Sequence, residues 1–192
     1  MSIARINPWT AERFLSWVQT QEGRYEFDGS RPVAMTGGSA RHSRIIVNIH
    51  VALRSRLRGT PCSSFGPDLG VRTIGNAICY PDVLVSCTKF AETELLAPDP
   101  LIVFEVLSGD SGRRDRIEKA REYGAVPSIR QYIIVESAGI GLLVLHRQRG
   151  NDAWAEQTLT GEDKLDLPEI GAGIPVSEFY EDVDFGEAPA GR

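Results

Sequence analysis

The chain has 192 residues, 42% of them hydrophobic and 24% charged, which suits a single soluble domain with a sizeable core. No apolar run is long enough for a membrane helix, and Met1 to Pro8 lacks the apolar core of a secretion signal. A net charge of −5 argues against a protein that coats nucleic acid by bulk charge, although basic residues gather from Arg41 to Arg58 and again from Arg113 to Arg121.

Thr10 to Thr20 reads as a helix with Thr10 as N-cap. The segments Arg24 to Phe27 and Pro32 to Met35 flank Asp28-Gly29-Ser30, so a hairpin is expected. Ser39 caps a long helix reaching Arg58 and ended by Gly59, with an apolar stripe at Ile45, Ile46, Ile49, Leu53 and Leu57. Strands follow near Leu69–Ile74 and Ile78–Val85, then an acidic loop from Ser86 to Pro100. Leu101–Leu107 is apolar on both faces, as a central strand is. Ser108–Gly112 turns into a helix over Arg113–Tyr123, Gln131–Glu136 forms another buried strand, and Gly141–His146 with Ala153–Leu159 form antiparallel strands. One domain over 1–183 is expected, with a frayed, flexible tail over 184–192. The order predicts an α/β fold: a mixed sheet with helices on its faces and extra antiparallel strands. Cys62, Cys79 and Cys87 are odd in number and lack C-x-x-C spacing, so neither a disulfide framework nor a structural zinc is expected, and a reducing cytoplasm is the expected location.

Two apolar runs each carry one acid: Asp82 within Ala77–Val85, and Glu105 within Leu101–Leu107. A carboxylate among Val, Ile, Leu and Phe is costly to desolvate unless a charge or hydrogen bonds meet it. Two such acids on neighbouring strands point to a shared ligand, and a divalent cation repays both; hard oxygen donors suit Mg2+ or Mn2+. Lys119 stands one helical turn from Asp115, so an Asp–Lys surface pair is as natural as a role beside the acids. Ile117, Ala120 and Gly124 form a small or apolar face, with Lys119 well round from it beside Asp115 and Tyr123.

Further candidates carry a bland reading and a functional one. His42, in the first turn of the long helix, is either a locally bonded histidine or a neutral ligand at the site. Glu26 alternates away from Tyr25 and Phe27, as a solvated hairpin residue or a third acid. Asp68 follows Gly66-Pro67 as a turn former or a site residue. Ser108 caps the loop after the Glu105 strand or contacts phosphate. His50 and His146 have no evident partner in the sequence.

Pro81-Asp82, Glu105-Val106-Leu107 and Lys119 resemble the array of the PD-(D/E)XK nuclease superfamily. More closely, Trp9 to Phe185 resembles the Uma2 family of restriction-endonuclease-like proteins, through Tyr25-Glu26-Phe27-Asp28-Gly29, Gly38 to Ser43, Asp68 to Arg72, Tyr80-Pro81-Asp82-Val83, Phe104 to Ser108, the Asp115, Lys119, Tyr123 series and Val126 to Tyr132. The resemblance implies a four-stranded mixed core sheet flanked by helices, and metal-dependent phosphodiester cleavage with Asp82 and Glu105 as the two acids. The superfamily lysine two residues after the second acid is absent, since Leu107 stands there, and Lys119 is its candidate replacement. The expectation is a cytoplasmic Mg2+- or Mn2+-dependent endonuclease acting on DNA, with a homodimer allowed and no membrane partner. The rival is a catalytically silent nuclease-fold protein that binds nucleic acid or a protein; a hydrolase of another phosphate ester is the third option.

Overall fold

The computed structural model describes residues 8–107, 114–147 and 153–186. The first helix, α1 (Ala11–Val18), starts at the expected cap: the Thr10 hydroxyl accepts the Arg13 amide, and Phe14 turns fully inward. The hairpin forms from β1 (Tyr25–Phe27) and β2 (Pro32–Ala34). Its turn is closed by Asp28, whose Oδ1 accepts the amides of Ser30 and Arg31, with Gly29 at φ 89°. The Ser39 hydroxyl accepts the His42 amide and opens α2 (Ala40–Leu57), whose buried side presents Ile45, Ile49, Leu53 and Leu57.

A short strand that the sequence did not announce, β3 (Ser63–Phe65), comes next, then β4 (Val71–Arg72). The run expected as one strand from Ile78 to Val85 is two. β5 (Ile78–Cys79) joins β1 and β4 in a four-stranded sheet, ordered β2-β1-β5-β4, whereas β6 (Val83–Ser86) belongs to a larger one. Tyr80-Pro81-Asp82 makes the break, because Pro81 has no N–H to give a ladder and restricts the residue before it. Asp82 therefore stands where the chain passes from one sheet to the other, not inside a strand.

The larger sheet has six strands rather than the four that the resemblance implied. Four of them are β7 (Pro100–Val106), β8 (Gln131–Val135), β9 (Leu142–Arg147) and β10 (Trp154–Leu159), and the order is β10-β9-β8-β7-β6-β3. β7 and β8 run parallel, and the other pairs are antiparallel. The β7–β8 crossover contains a π-wound segment, Arg114–Lys119, that continues into α3 (Ala120–Gly124). A small hairpin, β11 (Lys164–Leu167) with β12 (Ala172–Pro175), follows.

β7 is apolar at every position but Glu105 because both of its faces are covered. Ile102, Phe104 and Val106 pack with the α2 stripe; Val103 and Leu107 pack on the other side with Leu84, Tyr123, Tyr132 and Ile134. The beginning of the expected tail is tied down: Arg41 Nε donates to the Asp184 carbonyl, and the Phe185 ring lies 5.8 Å from that of Tyr180. Residues 187–192 lie outside the described residues. Among the described residues, no helix is long and apolar enough to cross a membrane.

The cysteine expectation is overturned. Cys62 and Cys87 form a disulfide, 25 residues apart in the chain. Odd number and spacing gave no sign of it, because the pair is created by strand register: Ser63 faces Ser86 across β3 and β6, which brings the next residues outward, Cys62 and Cys87, together. Cys79 is the free, buried thiol.

Candidate active site at the junction of the two sheets

Glu105 occupies the one position of β7 where an acid replaces an apolar residue on the α3-facing side. The β6–β7 register pairs Val83 with Phe104; Asp82 immediately precedes Val83, and Glu105 immediately follows Phe104. Asp82 Oδ2 accepts the Val106 amide at 2.8 Å, an N–H left without a ladder partner where β6 ends. The same oxygen lies 3.3 Å from His42 Nε2, delivered by the first turn of α2. Asp82 Oδ1 has no partner among the described residues.

Glu105 meets Lys119. The ammonium lies 2.7 Å from Glu105 Oε1 and 3.3 Å from Glu26 Oε1, and all three side chains are buried. The Tyr123 hydroxyl donates to the same Glu105 oxygen at 2.7 Å, while its ring packs 5.0 Å from that of Tyr132. Glu26 Oε1 also accepts the Tyr80 amide at 3.3 Å. One ammonium thus bridges a carboxylate of the small sheet and a carboxylate of the large one. Such an ion is tolerable only because two opposite charges meet it.

The helix face inverts the apparent amphipathicity. Ile117, taken from the sequence as part of the apolar face, is 62% exposed, whereas Lys119 and Tyr123 are buried. The stripe holding Lys119 and Tyr123 faces the acids because the buried partner there is charged, which a hydrophobicity pattern cannot register. The side chain of Asp115 and the whole of Ser108 lie outside the described residues.

The remaining candidates divide. Glu26 is in the cluster, although alternation along β1 pointed it to solvent; its face is covered by the crossover carrying Lys119. Asp68 is at the surface, with a side chain 98% exposed and 3.8 Å from Arg24. His50 has a partner after all: its Nδ1 lies 3.2 Å from Ser64 Oγ. Three neighbours of the cluster were missed as such: Cys79, Glu122 and Tyr123. Cys79 Sγ donates to Glu122 Oε2 at 2.8 Å, and burial, followed by the charges of Glu26 and Glu122, pushes the thiol well above its ordinary pKa. Burial and the Glu105 charge raise the Tyr123 phenol likewise, so it stays a proton donor at neutral pH. Tyr123 stood in plain sight, one helical turn from Lys119; Glu122 left no signal.

The family model Uma2, described as "Putative restriction endonuclease", matches residues 11–177. The chain belongs to the Uma2 family. Two proteins of Synechocystis sp. resemble this Uma2 chain over most of their length. Uncharacterized protein slr1290 is 29% identical over 177 residues, covering 91% of this chain and 92% of its own, and uncharacterized protein sll1609 is 25% identical over 168 residues, covering 85% and 94%. The crystal structure of "a putative nuclease belonging to DUF820" from Anabaena variabilis superimposes with a TM-score of 0.67 at 15% identity, covering 91% of this chain and 98% of that one. This Uma2 chain therefore shares its mixed α/β fold with that protein.

Proposed function

We propose that the protein hydrolyses phosphodiester bonds of DNA with the help of a divalent cation, Mg2+ or Mn2+, at the Asp82–Glu105–Lys119 cluster. The observation that carries the reading is the arrangement of charge: a buried lysine held against Glu105, and Asp82 just ahead of the neighbouring strand β6 with one carboxylate oxygen unused. Among the described residues, no group of three or more His, Cys, Asp and Glu side chains gathers as a metal cage. Magnesium does not need one, since it binds through one or two carboxylates and completes its shell with waters and substrate phosphate. Asp82 and Glu105 fit that donor set and would hold the ion.

A bound cation there would polarise a phosphoryl oxygen and lower the pKa of an attacking water. The chain's own groups do the positioning. His42 and the Val106 amide fix Asp82 Oδ2, which leaves Oδ1 as the oxygen without a partner among the described residues. Tyr123 and Lys119 both hold Glu105 Oε1, which fixes the orientation of that carboxylate. The Lys119 ammonium is the positive group available to steady a water or the charge growing on phosphate, in place of the lysine absent at Leu107. A cytoplasmic location goes with a DNA substrate, although the Cys62–Cys87 disulfide removes the cysteine argument for a reducing compartment. The test is nicking of supercoiled plasmid DNA with Mg2+, with Mn2+ and with EDTA, beside Asp82→Asn and Glu105→Gln. Cleavage that needs the cation and is lost in both variants is the expected result; cleavage equal in all three proteins refutes the site.

The rival reading has one observation in its favour. Lys119 pairs with both Glu26 and Glu105, an arrangement that a purely structural ion cluster would also adopt. A silent nuclease-fold protein would bind DNA or a protein partner in the same assay without nicking it under any cation.

A further inference from the structure

Helix α2 contains no acid, in a chain whose net charge is −5. Of its arginines and the one that caps it, Arg41 donates to the carbonyls of Ser137 and Asp184, and Arg56 makes a two-pronged ion pair with Glu178 at 2.7 and 2.9 Å. Arg54 and Arg58 are exposed and have neither an ion pair nor a side-chain hydrogen bond among the described residues. They are four residues apart, so they stand one above the other on a single face. They also line two adjoining hollows between α2 and the edge strand β3, of about 500 and 470 Å³, together with Ser64. His50, Ser55, Thr60 and Ser63 supply the other polar side chains, and among the described residues no acid lines either hollow. The acids Asp68, Glu92 and Glu94 border a neighbouring hollow that shares Gly59, Thr60 and Ser63.

Two unpaired guanidinium groups held side by side repel each other and are retained at a cost unless an anion visits them. Guanidinium forks match phosphate oxygens in two-pronged geometry, and serine and threonine hydroxyls complete such contacts. We infer that the α2–β3 hollows bind the phosphate backbone of nucleic acid, with Arg54 and Arg58 as the ligating pair. This site is separate from the cleavage cluster. Sixteen residues of helix separate His42 from Arg58, which is about 24 Å along the axis, and the arginines face away from the side that carries His42 to Asp82. At about 3.4 Å per base pair, that span corresponds to roughly seven base pairs of duplex. The inference deepens the proposed function: it assigns an anchor for DNA flanking the point of cleavage, and it rests on that reading for the identity of the polymer.

The experiment measures binding of fluorescent duplex DNA by anisotropy in EDTA, over a range of salt. It uses a hairpin with a stem of about 4 bp, roughly 14 Å and too short to reach from the cluster to the arginines, and a duplex of about 30 bp that spans both. Wild type is expected to bind the longer duplex more tightly, with a steep salt dependence. Arg54→Ala with Arg58→Ala should lower the log–log salt slope on that duplex by about 2, one per lost phosphate contact, and should leave short-stem affinity and melting temperature as in wild type. Arg54→Lys with Arg58→Lys should keep most of the slope. A double alanine variant that binds the longer duplex like wild type overturns the inference, and so does a lysine pair as weak as the alanine pair. Nicking of the short stem, assayed separately with Mg2+, reports on Asp82, Glu105 and Lys119. Its absence in every protein would sink the hydrolytic reading while leaving the anchor to be judged on affinity alone.

Discussion

Lys119→Met is the most informative single change. Methionine is close to lysine in length and fills the same buried channel, so packing is largely kept and the loss is electrostatic. Removing the ammonium leaves Glu26 and Glu105 as neighbouring buried carboxylates, each having lost its contact at 3.3 and 2.7 Å respectively. Breaking a buried ion pair from one side costs about 3–5 kcal/mol. For a chain of this size each kcal/mol shifts the melting temperature by roughly 2–4 °C, so the fall should be about 6–20 °C. A lysine that served only the reacting phosphate would cost cleavage and leave the fold untouched; the double pairing adds a large stability penalty. The assay is thermal unfolding followed by circular dichroism, read beside plasmid nicking. Glu105→Gln combined with Lys119→Met should recover part of the loss, because one stranded charge is gone. A melting temperature within about 2 °C of wild type, or a double variant no better than the single, would refute the idea that this ammonium holds two buried acids.

Three further expectations test the surroundings. Tyr123→Phe deletes the donor to Glu105 but keeps the ring against Tyr132, and should cost about 1.5–3 kcal/mol, the usual contribution of a hydrogen bond to a charged group; a urea midpoint unchanged from wild type would contradict it. The folded, oxidised protein should show no thiol reactive to Ellman's reagent at pH 8, since Cys79 is buried with a raised pKa and Cys62 is bonded to Cys87. Unfolding should release Cys79, and Cys62→Ser with Cys87→Ser should lose about 3.5 kcal/mol for a loop of 25 residues; rapid native labelling would refute the burial. Burial lowers the His50 pKa from its ordinary 6.5, so the folded state holds this proton less tightly than the unfolded chain. Its contribution is complete above pH 6.5 and is lost as pH falls below that value, and His50→Gln should flatten the acid side of a urea-midpoint profile; an unaltered profile would exclude it.

Much of the fold is legible in local chemistry. Thr10 and Ser39 cap their helices, Asp28-Gly29 turns the hairpin, and the apolar run of β7 marks the centre of the sheet, because each signal depends on residues a few positions apart. The two acids stood out for the same reason: a charge within an apolar run is a local anomaly. Only the tertiary structure decided what met them. Val106 and His42 come to Asp82 from another strand and from another element. Lys119 reaches Glu105 and Glu26 from a helix whose apparent apolar face points outward. The Cys62–Cys87 bond and the split of Ile78–Val85 between two sheets likewise depend on which strand lies beside which. Hydrophobic periodicity reports where water is excluded, whereas the pairing of buried charges depends on register between distant segments, and that is set by the packing of the whole chain.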